Sequence, residues 1–544
     1  MIRFVRPLFR FAKNIPVVVR IGMGALFTVL ILYVYRRYSF TYALDSDFAN
    51  PYLQADQMVH GNILLSHWYM TSVSFYTTDV FPLALGMIVR GVNPVVLHEV
   101  PVLVYGAMLI VATILTQNHS ATRKNRNWQG IVVVIALLGF PAEALASRFL
   151  MGPGRTTTIL YVLIAYLILD SSGKKRDFVS PLRIGLFGFV LFFAMVGDTF
   201  PQYVVVVPVV LVSLLRVYRQ RDCWKEEATL SVVTVASAIC AKVFLKIVAL
   251  IGGFVVPEAY FNDMRIVSLQ QLGANAFYTL QCWQMLQGCD FWGQPIDLGT
   301  IVTMLRVVLA TIIAYCFFVV LRLLRRDASQ NAPKPYSIDR VSAYLGVGMV
   351  VNFVAYTVTS LNVGIASSRY MIPFVVFGAV LAGRCITHGY FANRKIGRIV
   401  LIGVVAGAAL SLPWFYLAVK RPYPYPPARR LGKWLASQNL RDGYGTWWCS
   451  TVVTVETQNQ VRVRSINDTA NGIEPKLFGV DERWYVDAPA YFVVLDGNFP
   501  NVTQQKVVWQ FGKPTRIAQY EGYTILIYNR DIAPRLANKP LIRP

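Results

Sequence analysis

Two carboxylates one residue apart, Asp45 and Asp47 in the stretch DSDFANPYLQADQ, follow closely on the apolar run IGMGALFTVLILYVY. Acids are scarce in this chain, with 28 Asp and Glu against 52 Lys and Arg. Such a pair can share a divalent cation, Asp45 and Asp47 being the two ligands. Alternatively, one carboxylate takes a proton from a hydroxyl while the other orients it. A single acid at a membrane boundary is often no more than a solvated charge; a pair beside a helix end is harder to account for that way. Asp56, His67 and Asp79 follow in the same amphipathic, aromatic segment, whose composition suits helices lying along a membrane interface.

A second set of charges is basic. Arg148 and Arg155 lie in GFPAEALASRFLMGPGRTTT, and Arg369 with Tyr370 in GIASSRYMIPF, while MVGDTFPQY adds Asp198. Ionisable groups at membrane depth are costly and so are candidates for function, although each arginine can also snorkel to lipid headgroups. A guanidinium matches phosphate with two parallel N–H bonds, and a carboxylate can serve as base or metal ligand. Taken together, the two sets suit an anionic, phospholipid-type substrate whose phosphate departs.

The elements that must carry these groups are membrane helices. Of the 544 residues, 55% are hydrophobic and 15% charged, against about a quarter charged in a soluble protein. Apolar runs of about 20 residues are long enough to cross a bilayer, and the pattern predicts about eleven spans. They lie near 18–35, 97–116, 130–148, 157–170, 183–197, 202–216, 229–253, 299–323, 341–360, 372–386 and 397–418. Every second connection is rich in Lys or Arg, which predicts that those loops are cytoplasmic. The net charge of +24 is dispersed among them and does not form a nucleic-acid surface. The basic start MIRFVRPLFRFAKNIPVVVR reads as a retained signal anchor, with the N-terminus cytoplasmic and the C-terminus periplasmic. Asp45 and Asp47 then face outward. Arg36 and Arg37 run against the orientation rule, outnumbered by the positive residues before the first span.

Two outer loops are long, 36–96 and 254–298. At KRPYPYPPARR the composition turns soluble, which divides the chain into a transmembrane module, 1–419, and an outer domain, 420–544. Helical spacing in ARRLGKWLASQNL and strand character in QVRVRSI, AYFVVLDG and GYTILIYNR predict a small α/β fold there. Cys282 and Cys289, together in the second loop, are candidates for a disulfide in an oxidising compartment. No Walker loop and no G-x-G-x-x-G after a strand is present, which weighs against an ATP-driven pump, and nothing has zinc-site spacing.

A first span, an acidic motif opening a long outer loop, many spans and an outer C-terminal domain resemble the GT-C glycosyltransferases. DSDFANPYLQADQMVHGN looks like their acidic first-loop motif, GDTFPQY is similar to a short Asp turn, and SSRYMIPF is similar to an Arg-Tyr turn before a late span. The resemblance implies a mainly α, polytopic membrane enzyme. It would transfer a sugar from a polyprenyl-phosphate donor to a cell-envelope glycan, lipid or protein at the inner membrane. It implies that Asp47, or failing that Asp45, deprotonates or orients the acceptor hydroxyl, and that Arg369 and Tyr370, with Arg148 or Arg155, stabilise the departing phosphate. Asp79 and Asp198, with Asp56 and His67, would bind sugar, acceptor or a metal. No cofactor is certain; a divalent metal ion is compatible with the acid pair. Two other readings stay open: a polymerase or ligase of surface polysaccharide, and a transporter or flippase of lipid-linked substrates, although no repeated halves are visible.

Overall fold

The structure, a computed structural model, describes residues 17–118, 127–152, 154–170, 179–219, 221–257, 264–329, 338–486, 488–499 and 502–540. All eleven apolar segments form helix, but they are not eleven equivalent spans. Seven helices among the described residues are long and apolar enough to cross a bilayer, or eight if one bent pair counts as a single span. The first helix, Val17–Ser39, is not one of those seven, although its 23 residues rise about 35 Å at 1.5 Å per residue. Two others are short, Thr156–Leu169 with 14 residues and Pro181–Gly197 with 17.

The bent pair corrects the expected span at 130–148. Asn127–Leu138 and Glu143–Phe149 meet at 99°, because Pro141 between them has no N–H to continue the helical ladder. The turn swings Arg148 away from the line of the span. The second long loop is not irregular either: it holds a 19-residue helix, Leu269–Gln287.

The helix following the Gly364–Met371 turn, Ile372–His388, is buried along its whole length and forms the axis of the bundle. Close packing there depends on small residues: a Cβ on Gly383 would lie 2.5 Å from Thr116 Cγ2. Four of the scarce acids gather at one end of the bundle. Arg384 pairs with Asp170 at 3.2 Å and with Asp339 at 2.7 Å, Arg340 reaches both Glu226 and Glu227 at 2.8 Å, and Arg216 reaches Glu227 at 2.8 Å. At the other end Arg36, the residue that ran against the orientation rule, is paired with Glu99 at 2.9 Å.

Beyond Pro426 the chain forms a mixed sheet. Its strands are β2 (Asp442–Gly445), β3 (Arg462–Thr469), β4 (Gly472–Pro475), β6 (Phe492–Asp496), β7 (Arg516–Tyr520) and β8 (Tyr523–Ile527), in the order β4-β3-β2-β6-β8-β7. β2 runs parallel to β3 and β6, and the outer pairs are antiparallel. This sheet is joined to the first loop by a second ladder. β1 (Trp68–Tyr69) pairs antiparallel with β5 (Val480–Asp481), with Trp68 opposite Asp481. Trp484 packs edge-on against Trp68 at 5.4 Å between centroids.

Candidate functional site

Asp45 is the N-cap of the helix Ser46–Val59, and its carboxylate accepts the Phe48 N–H at 3.1 Å. Aspartate is a favoured cap because its oxygen satisfies an amide the helix leaves open. Burial, then the neighbouring Asp47 charge, push the Asp45 carboxyl up from 3.8 to about 7, against the pull of the Phe48 and Asp47 amides and of Arg148. The pair is therefore unequal. Asp45 holds the helix start, while Asp47, in the first turn, accepts the indole N–H of Trp447 at 3.3 Å. Ser46 between them donates to the Trp447 carbonyl at 2.5 Å. The acid pair thus lies where the first loop meets the C-terminal sheet.

One arginine faces it, and a second lies beside the first. Arg148 interacts electrostatically with Asp45 and Asp47 and, with opposite sign, with Arg369. Among the described residues neither guanidinium has a carboxylate within ion-pair distance; Arg369 rests beside the Tyr370 ring at 5.4 Å. Like charges near one another with no carboxylate in direct ion-pair contact are unfavourable, and an anion between them would relieve the repulsion.

Arg155 is different. It adopts φ +64° at the start of Thr156–Leu169 and places Nε 3.5 Å from Asp198 Oδ2. Its guanidinium lies between the rings of Phe200, at 4.7 Å, and Tyr370, at 4.6 Å. Asp198 is buried and also accepts Thr158 Oγ1 at 3.2 Å and the Phe200 N–H at 3.0 Å. Asp79 is nearby, accepting Thr78 Oγ1 at 2.9 Å. Burial, reinforced by the Asp198 charge, pushes its carboxyl up to about 7. It lines a small cavity with Pro101, Met151, Gly152 and Thr157. Tyr370 connects the two groups of charges, its ring contacted by both Arg369 and Arg155.

The structure does not bring Asp56 and His67 to this place. Asp56 sits near the far end of its helix, 3.1 Å from His60. His67, at φ +71°, is 3.0 Å from the buried Glu482 and helps fasten the loop to the sheet. The expected Cys282–Cys289 disulfide is not formed: both thiols are free. Cys282 is mid-helix against Tyr356 at 3.5 Å, and Cys289 lies beyond the left-handed cap Gly288. The two thiols are held by different partners, Cys282 by the Tyr356 hydroxyl and Cys289 by the Gln284 carbonyl at 3.4 Å.

A metal ion fits the acid pair poorly. Among the described residues no three His, Cys, Asp or Glu side chains gather. Asp45 is turned to its helix cap, and the charges acting near the pair include the cations Arg148 and Lys476, which cannot serve as oxygen ligands.

Neither a family model nor a curated protein matches this sequence. Solved structures do match in fold. ArnT from Cupriavidus metallidurans bound to undecaprenyl phosphate superposes with a TM-score of 0.56 over 93% of this chain and 98% of that one, at 12% identity. The apo state of the same protein gives a TM-score of 0.55 over 96% and 100%, at 12% identity. The chain has the GT-C fold. The likeness spans the helical bundle and the C-terminal sheet alike, so the GT-C fold accounts for the long first loop and the sheet packed upon it. Lys476 and the hydrogen bond from Trp447 escaped sequence reading. The sequence shows only a lysine after a strand and a tryptophan in an aromatic cluster, and neither carries a motif.

Proposed function

We propose that this chain is a membrane glycosyltransferase that moves a sugar from a polyprenyl-phosphate-linked donor to a cell-envelope glycan, lipid or protein on the outer face of the inner membrane. The observation that carries this reading is a pair of arginines in a GT-C fold, Arg148 beside the acid pair and Arg369 beside Arg148, neither in an ion pair among the described residues. The solved relative of that fold was crystallised with undecaprenyl phosphate.

In this reading Asp47 accepts the proton of the acceptor hydroxyl, since Asp45 is occupied at the helix cap. The acceptor oxygen attacks the anomeric carbon, and the bond from that carbon to the phosphate oxygen breaks. Arg148 and Arg369 then meet the negative charge gathering on the departing polyprenyl phosphate, an electrostatic contribution of the kind that often dominates catalysis. Asp198 holds Arg155, and Arg155 supports the Tyr370 ring beside Arg369. Asp79, at its cavity, is the remaining candidate for a sugar hydroxyl.

The test is transfer from a radiolabelled polyprenyl-phosphate sugar by purified full-length protein in detergent, with donors of several sugars. Turnover in wild type, lost in Asp47→Asn with an unchanged melting temperature, supports the reading. No turnover with any donor refutes it.

A further inference from the structure

The acid pair is covered by a segment that no motif marked. Lys476 directly follows β4, where its backbone N–H donates to the Ser465 carbonyl at 3.0 Å. Three residues on, Gly479 has φ +64°, and a Cβ there would lie 2.7 Å from Asn50 Nδ2, so the backbone rests directly on the helix that Asp45 opens. The Gly479 N–H donates to the Met70 carbonyl at 3.3 Å, and the β1–β5 ladder and the His67–Glu482 contact fasten the next residues. The segment is therefore held to the sheet at one end and to the first loop at the other.

Lys476 Nζ lies over the Trp447 ring at 4.7 Å and the Phe478 ring at 5.6 Å, and no carboxylate is within ion-pair distance among the described residues. The charge acting on it is that of Asp47. Trp447 thus lies between cation and anion, its ring under the ammonium and its N–H on the carboxylate. A cation over an indole ring is attracted by the ring's face, and hydrogen-bonded groups in series polarise one another. The remaining groups facing Asp47 are Asp45 on its own helix and Arg148 from the bent span.

We propose that Lys476, carried by the C-terminal sheet, is a positioning residue for Asp47, acting through Trp447 to orient the carboxylate that receives the acceptor's proton. The proposal rests on the glycosyltransferase reading for the role of Asp47, but the contact itself does not. It makes the C-terminal sheet a working part of the site, since the acid and its cation come from opposite ends of the chain.

Two measurements on the purified full-length protein test it. In the first, acetylation of Lys476 is followed by mass spectrometry as a function of pH. Burial pulls the Lys476 ammonium toward its neutral form while the Asp47 charge opposes this. In Asp47→Asn the pH of half-labelling therefore falls, by about half a unit or more; an unchanged midpoint overturns the proposal. In the second, Lys476→Met, which keeps most of the stem without the charge, moves the acid limb of the pH–rate profile to higher pH, and Lys476→Arg restores it. An unmoved limb with a raised KM for the donor overturns the proposal in favour of a direct phosphate contact. If wild type transfers no sugar, the glycosyltransferase reading fails, while the titration of the amine still decides whether Lys476 and Asp47 are partners.

Discussion

The indole nitrogen of Trp447 lies 3.3 Å from Asp47 Oδ1, joining two residues 400 positions apart in the chain. It assigns different tasks to two adjacent acids. Asp47 faces the sheet and its cation, whereas Asp45 faces the amides of its own helix. Trp447→Phe keeps the ring and removes the donor. We expect kcat to fall by about 10- to 100-fold, the size of one hydrogen bond to a charged group, with little change in melting temperature. A variant as active as wild type would show that the contact has no part in the reaction.

The two acids also separate by substitution. Asp47→Asn is expected to lower transfer by about 100-fold or more, the loss of a general base. Asp45→Asn retains a good cap and should keep a measurable fraction of activity. Asp45→Ala should additionally lose about 1 kcal/mol of stability through the missing cap, read as a lower melting temperature in detergent.

Stability against pH carries its own signature of Asp45. In the fold its carboxyl is held at about 7 against an ordinary value of 3.8. Between about pH 4 and 7 the folded protein keeps a proton that the unfolded chain has released, so this group's contribution falls as pH rises through that window and is level above it. Asn cannot ionise. The melting temperature of Asp45→Asn relative to wild type should therefore climb from about pH 4 to 7 and then stay constant. A difference independent of pH would contradict the raised value.

Three arginines that look alike in the sequence should behave in two ways. Arg148→Ala and Arg369→Ala remove cations that form no ion pair among the described residues, so folding should be little affected while kcat/KM for the donor falls by about 10- to 100-fold each. Arg155→Ala instead leaves Asp198 buried without its cation, and should destabilise by about 3–5 kcal/mol. Thermal melts of the three variants side by side distinguish these outcomes.

Because Cys282 and Cys289 are both free, maleimide labelling of the denatured, unreduced protein should find all seven cysteines of the chain. Five labelled thiols would restore the disulfide.

What the sequence determined by itself is the membrane character and the fold class. Apolar runs of bilayer length, with no soluble alternative, can bury their backbone polar groups only as helices, and the change of composition after Lys420 marks where strands begin. It also placed Asp45 and Asp47 together just beyond the end of the first apolar run, because that needs only neighbouring residues; that Asp45 caps the next helix was shown by the structure. Everything that depends on residues distant in the chain was decided by tertiary structure. The bend at Pro141 is what carries Arg148 toward the acids, the charge of Asp198 is what claims Arg155 and leaves Arg369 free, and the docking of β5 on β1 is what brings Trp447 and Lys476 over Asp47. Periodicity reports which face of an element is apolar, not which element arrives to cover it, so a charged site assembled from both ends of the chain leaves no spacing to read.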